Sequence, residues 1–294
     1  MTAFLSRLRT AGLAATALAG LAIATPAAAQ GAGCPRSKTQ EIGDSWIAAV
    51  EAGSMFKMNL GEWVDYSENF ERGSLGSFLN KPRKVDWHLM IQDTDKCRVF
   101  VEAVILDKER PMVLATQVGS GFFGVGPFNN IVTDEGDWLF DAEKTAYYAS
   151  REDWSEIPEG QRNTREELIA AANAYLDSFK DKSVQVPWGT PCARLEGGIY
   201  TGKGQPTDSC NVGVPDGVEL TDRDYIVDPA LGAVAVFLKF GEKKRPDSHL
   251  FRIEDGKIRY VHTVTNCGDE VNCGFPPLSE MLKKNPEMQP DLGK

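Results

Sequence analysis

The sequence is notable first for what it lacks. There is no Cys-x-x-Cys, which removes the zinc-ribbon and thioredoxin signatures. There is no Gly-x-Ser-x-Gly and no His-Glu-x-x-His, so neither an α/β-hydrolase elbow nor a zincin helix is supported. Positive charge is in deficit, with 32 Lys+Arg against 42 Asp+Glu and a net charge of -10, which argues against a nucleic-acid partner. Histidine is scarce: only His88, His249 and His262 are present. No apolar run reaches the roughly 20 residues of a comfortable membrane span. The Gly119-x-Gly121 and Gly124-x-Gly126 pairs lack the strand-to-helix context of a phosphate loop and read as a hairpin connection. What remains is a globular composition, 294 residues and 42% hydrophobic, enough for one large domain or two ordinary ones.

The N-terminus reads as an address. Arg7 and Arg9 precede an apolar run from Ala11 to Ile23, followed by Pro26 and Ala27-Ala28-Ala29. This is the order of a secretory signal peptide, with cleavage expected after Ala29 and a periplasmic or extracellular product. A lipoprotein is the rival, since Cys34 follows Gly31-Ala32-Gly33, but a lipobox wants a branched aliphatic residue where Gly31 stands. The six cysteines all lie beyond this segment, and an even count in an oxidising compartment reads as three disulfides. Six cysteines allow 15 pairings. Locality favours Cys34–Cys97, Cys192–Cys210 and Cys267–Cys273.

The chain reads as duplicated. Thr164-x-x-Glu167 is a capping box opening a run with Leu168, Ala171, Ala172, Tyr175, Leu176 and Phe179 on one helix face. Ser37-x-x-Gln40 opens an earlier run with Ile42, Trp46, Ala49 and Val50, stopped by Gly53. Glu68 and Glu196, downstream of the two helices, are 128 residues apart. Strand-like runs follow in each half, at 98–106, 113–118 and 131–133, then at 233–240, 249–254 and 257–264. Helix followed by antiparallel strands, repeated, predicts two α+β domains. The expected boundaries are a signal peptide at 1–29, domains at 30–134 and 164–266, a packed connection at 135–163, and an irregular, proline-rich tail at 267–294.

Several motifs carry a resemblance. They are Val186-Pro187-Trp188-Gly189-Thr190-Pro191-Cys192-Ala193-Arg194-Leu195-Glu196-Gly197-Gly198, Tyr200-Thr201-Gly202 and Asp208-Ser209-Cys210. Glu135-Gly136-Asp137-Trp138-Leu139-Phe140, His249-Leu250-Phe251-Arg252 and Tyr260-Val261-His262-Thr263 belong with them. Over most of the chain they resemble an uncharacterised family of exported fungal and bacterial proteins. The halves themselves look like the nuclear-transport-factor-2-like (SnoaL-like) cone fold of ketosteroid isomerase, scytalone dehydratase and polyketide cyclases. The resemblance implies two tandem cones, each a curved, mostly antiparallel sheet wrapped by helices. It implies no activity, because that fold hosts enzymes and binding modules alike. Pairing of two chains through the outer sheet face, as a homodimer, is a further expectation.

Asp255-Gly256 between two alternating runs is a strong hairpin signal. Continuing its register without interruption sets His249 opposite His262, with Cβ atoms about 4.5–5.5 Å apart. Phe251, Ile253, Ile258 and Tyr260 then share their face. Two imidazoles that close cannot both protonate cheaply in a partly desolvated site, so one stays available as a general base. Three readings of the pair stand side by side: a hydrogen-bonded core contact, two ligands of a metal completed by Glu196 or Asp208, or acid–base catalysts. The catalytic set expected is His249 and His262 as base and acid, Tyr260 as oxyanion donor and Glu196 as orienting carboxylate. Arg194, Tyr200, Trp188 and Phe251 are the expected substrate contacts, although Trp188 between Pro187 and Gly189 also suits a plug in the cone mouth. The reaction class this suggests is a lyase or isomerase acting, without a cofactor, on a small oxygenated molecule. A non-catalytic ligand-binding protein and a metal-dependent enzyme are the alternatives.

Overall fold

The computed structural model describes residues 33–62, 64–121 and 124–284. The expected signal peptide and its cleavage site lie outside these residues. The chain is α+β, with two six-stranded mixed sheets. In the first half, α1 (Arg36–Ala52) precedes β1 (Tyr66–Glu68), β2 (Glu71–Arg72), the short α2 (Leu75–Phe78), and β3 (Trp87–Asp93), β4 (Arg98–Ile105), β5 (Met112–Gly121) and β6 (Gly124–Thr133). After α3 (Ala142–Ala149), the second half has α4 (Arg165–Asp177), β7 (Trp188–Glu196), β8 (Ile199–Tyr200), β9 (Leu220–Asp228), β10 (Ala233–Phe240), β11 (Arg245–Glu254) and β12 (Lys257–Thr265). A last helix, α5, spans Leu278–Lys284. Among the described residues, no helix is long and apolar enough to cross a membrane.

Both sheets have the same order, β2-β1-β6-β5-β4-β3 and β8-β7-β12-β11-β10-β9. In each, one pair is parallel, β1 with β6 and β7 with β12, while the remaining pairs are antiparallel. Glu68 pairs with Asn130 and Glu196 with Thr263, so the two glutamates occupy matching positions in their sheets. The helices form where expected. Thr164 and Glu167 close a reciprocal capping box, and Gly53 ends α1 in the left-handed conformation that a C-cap requires. α1 nevertheless starts from Pro35 rather than Ser37, because Pro is tolerated where the first N–H groups have no helical partner.

Each sheet has two buried faces. One is covered by the half's own helix: α1 supplies Ile42, Trp46 and Val50 against β4–β6, and α4 supplies Leu168, Tyr175 and Leu176 against β10–β12. The other faces pack against each other, with Phe100, Val104, Val113 and Ile131 meeting Ala233, Ala235, Phe237 and Leu250. The outer sheet face expected to pair two chains is thus covered within one chain. All three disulfides join the cysteines that locality favoured. The 135–163 connection contains α3, which packs Tyr148 and Ala149 on Leu195.

Two related ion pairs lock the halves together. Arg165, at the start of α4, makes a bidentate contact with Asp93 at the end of β3 (2.9 and 2.7 Å), and Asp93 also accepts from the Val227 N–H. Reciprocally, Arg36 at the start of α1 donates to Asp228 at the end of β9 (2.8 Å), and Asp228 accepts from the Gln92 N–H. Each carboxylate is fully or almost fully buried, so removing it strands a buried backbone donor and takes from each guanidinium its closest carboxylate, leaving only Glu156 near Arg36 and Asp95 near Arg165. Asp93→Ala and Asp228→Ala are therefore each expected to lower unfolding free energy by about 3–5 kcal/mol. Disrupting the exposed Lys38–Glu41 pair should cost under about 1 kcal/mol, with denaturant melts as the readout.

Candidate functional site

The β11–β12 hairpin begins as the sequence predicts. Asp255 and Gly256 both have positive φ (49° and 69°), and Glu254 pairs with Lys257 and Ile253 with Ile258. The register then slips by one residue: Arg252 opposes Tyr260, Leu250 opposes His262 and His249 opposes Thr263. Arg259 is the extra residue of a β-bulge. Because side chains alternate between faces, a one-residue slip inverts every position beyond it. The expected His249–His262 pair is not formed; the two rings project from opposite faces of the sheet. A metal set built on both rings with Glu196 or Asp208 is not assembled either. Among the described residues, no group of three His, Cys, Asp or Glu is placed to hold a metal ion.

On the helix-covered face of the second half lies a cavity of about 330 Å³. Its polar wall is formed by Arg194, Glu196, His249, Thr263 and Thr265, and its apolar wall includes Phe179, Val214 and Phe240. His249 Nδ1 lies 2.5 Å from Asp247 Oδ1, and Thr265 donates to the other oxygen of Asp247 at 2.6 Å. Asp247 and His249 sit two apart on one strand, so alternation places them side by side. A carboxylate at Nδ1 selects the Nδ1–H tautomer and leaves the Nε2 lone pair for a ligand. Tyr175 packs its ring 5.7 Å from that of His249 and accepts a hydrogen bond from Arg194 Nη1 at 3.1 Å. Burial holds the Tyr175 hydroxyl well above the ordinary tyrosine value, so it stays protonated.

Arg194 is almost completely buried, and its Nη1 lies 3.6 Å from Glu196. Nη2 donates to the Val212 carbonyl, but Nε has no partner, and the hydroxyl of Thr263 also has none. Trp138 Nε1 donates to Glu196 at 3.4 Å. Phe275, Pro276, Leu278 and Met281 line the remaining side. The tail is therefore not irregular throughout. Between Pro277 and Lys284 no Pro or Gly interrupts a helix, Glu280 lies in its first turn, and Lys283 and Lys284 lie in its last.

Of the eight residues expected at the site, Arg194, Glu196 and His249 line this cavity. Phe251 and Trp188 share its sheet face but are packed against Tyr175 at 5.5 and 5.4 Å, as core. Tyr200 and Tyr260 lie on the opposite face, where they line a separate cleft with Tyr148. The bulge accounts for Tyr260, and the alternation along β7 and β8 accounts for Tyr200. Asp247, Thr263 and Thr265 were missed, although Asp247-x-His249 on a strand is a legible signal for a dyad.

In the first half the equivalent face is closed. Tyr66 pairs with Phe128 as Arg194 pairs with Val261, and Thr116 pairs with Asn130 as His249 pairs with Thr263. Leu114 and Thr116 stand where the second half has Asp247 and His249. Trp46, Phe78, Phe128 and Tyr66 fill the interior with contacting rings.

Residues 161–265 match a family described as a domain of unknown function, DUF8021. The matched span runs to the end of β12 and contains Arg194, Glu196, His249, Thr263 and Thr265 of the cavity wall. No curated protein and no solved structure matches the chain.

His262 serves a different purpose. Its Nδ1 lies 2.8 Å from Glu102 of β4, and its Nε2 lies 2.6 Å from Glu152, which also accepts from Trp154 Nε1 at 3.0 Å. The ring and Glu102 are almost fully buried between the two sheets. Burial alone would lower the pKa of His262, but the flanking Glu152 and Glu102 carboxylates outweigh it and hold the ring well above its ordinary value. A raised folded-state value means the stabilisation is complete below the unfolded value, about 6.5, and is lost as pH rises through the folded value. Unfolding free energy should therefore decline as pH rises above about 6.5. His262→Gln should abolish that decline, as read from melts across the range.

Proposed function

We propose that the second half is the working half of an exported, cone-type protein, and that its cavity performs acid–base chemistry on a small oxygenated molecule. The observation that carries this reading is the buried Asp247–His249 dyad facing the cavity that also holds Arg194. In a closed, largely apolar space, His249 Nε2 removes a proton from carbon next to a carbonyl. Negative charge then develops on the carbonyl oxygen, where the unpaired Arg194 Nε–H and the Thr263 hydroxyl can donate. Returning the proton to another carbon completes an isomerisation. Delivering it to a departing hydroxyl completes a dehydration, with Glu196 as the second proton carrier. Asp247 orients the imidazole and stabilises the imidazolium formed in the first step. No organic cofactor is required by this sequence of steps. The three disulfides support export.

The unpaired donors also favour a second reading, a binding protein without turnover. Leaving a buried donor unmatched costs about 1–3 kcal/mol, which a ligand oxygen would recover whether or not chemistry follows. The two readings separate in one experiment. The protein is incubated with a panel of lignin-, sugar- and polyketide-derived carbonyl compounds, and products are followed by mass spectrometry. Asp247→Asn and His249→Gln should each lower turnover by about 100-fold or more while ligand-induced thermal stabilisation persists. Stabilisation by compounds that none of the variants or the parent converts would leave the binding reading and remove the catalytic one.

A further inference from the structure

A second cavity, larger than the one that holds the dyad, lies elsewhere in the described residues. A groove of about 1190 Å³ runs between the two halves, walled by the β1–β2 and α2 segment on one side and the β10–β11 turn with residues 266–270 on the other. In a chain with a net charge of -10, this groove gathers seven Lys and Arg side chains against four Asp and Glu. Several of those cations are already matched: Arg110 with Asp134, Lys239 with Asp222, and Lys243 and Arg245 with Glu270. Arg72, Arg83 and Lys244 are not paired with any carboxylate among the described residues.

Arg83 is the informative one. It is 7% exposed, and its hydrogen bonds go to neutral acceptors: the Phe78 carbonyl at 2.7 Å, the Lys81 carbonyl at 3.3 Å and the Asn80 side chain at 3.4 Å. Its Nε is buried and has no partner. Glu68 and Asp107 act on this guanidinium only from a distance, and a buried guanidinium with no carboxylate in contact is costly unless an anion completes it. The groove is too large for an inorganic ion, at the upper end of small-ligand sites, and its other walls offer Asn69, Ser74, Ser77 and Asn266. Amide and hydroxyl groups beside cations recognise a ligand that is itself rich in hydroxyls and carries carboxylates.

We propose that this groove binds an acidic oligosaccharide, with a carboxylate on Arg83 and with Arg72 and Lys244 supporting the charge along it. The site is independent of the dyad cavity and stands whether or not that cavity is catalytic. Calorimetric titration of the full protein with a galacturonic-acid trimer tests it, with a neutral glucose trimer and inorganic phosphate as the comparison probes. The acidic trimer should bind, more weakly as salt is raised from about 0.05 to about 0.2 M. Arg83→Met should weaken binding by roughly tenfold or more. The exposed changes Arg72→Gln and Lys244→Gln should each weaken it by a few fold, with melting behaviour kept. These two variants decide the matter should Arg83→Met fail to fold. Failure of the acidic trimer to bind, equal affinity for the neutral trimer, affinity for phosphate matching that of the trimer, or indifference to all three substitutions would each overturn the proposal.

Discussion

One extra residue, Arg259, determines what the second half can do. By breaking the register of the β11–β12 hairpin, it sends His249 towards α4 and His262 towards the opposing sheet. Without that bulge the two rings would face each other on one surface. With it, each ring meets carboxylates of its own. His249 takes Asp247 from its own strand, while His262 is held between Glu102 and Glu152 at the contact between the halves. Two separate carboxylate–imidazole contacts are thereby built from neighbouring strands.

The same irregularity recurs in the first half. There Ser120 pairs with Val125 while Val118 pairs with Phe128, so β6 carries one surplus residue just after its turn, as β12 does. Shared strand order, a shared bulge and reciprocal Arg–Asp locks identify the halves as two copies of one architecture. Their interiors then diverge. Aromatic rings close the first, whereas Val261 and Arg194 in place of Phe128 and Tyr66 leave room and polarity in the second. The family match over 161–265 covers the copy that kept the room. Packing the sheets back to back uses up the faces that would otherwise seek a partner, and it brings the two halves' turns together around the basic groove.

What the sequence made legible was local. Capping at Thr164 and Gly53, the Asp255-Gly256 turn and the positions of β4, β10 and β12 all follow from short-range chemistry. The face on which each side chain lies depends on register, and register was the hidden quantity. Adjacent Tyr260 and Val261 interrupt the apolar alternation of β12, the one trace a bulge leaves in composition. Glu102 and Glu152 could not have been attached to His262, since contacts across 160 and 110 residues have no periodic signature. The cavity depends similarly on a tail helix whose prolines suggested irregular chain. Arg194 and Glu196 both fall on the cavity side because the β7–β12 pairing carries no slip beyond Tyr260.

The two buried histidines live in separate environments, one on Asp247 at the cavity and one pinned between Glu102 and Glu152. Nitrogen-15 and proton NMR of the imidazole side chains addresses this directly. His249 should show a proton on Nδ1 held by Asp247 and a ring signal that responds to compounds entering the cavity. His262 should remain protonated on both nitrogens through neutral pH and ignore them. A nuclear Overhauser contact between the two rings, or titration of both as one coupled pair, would contradict the account.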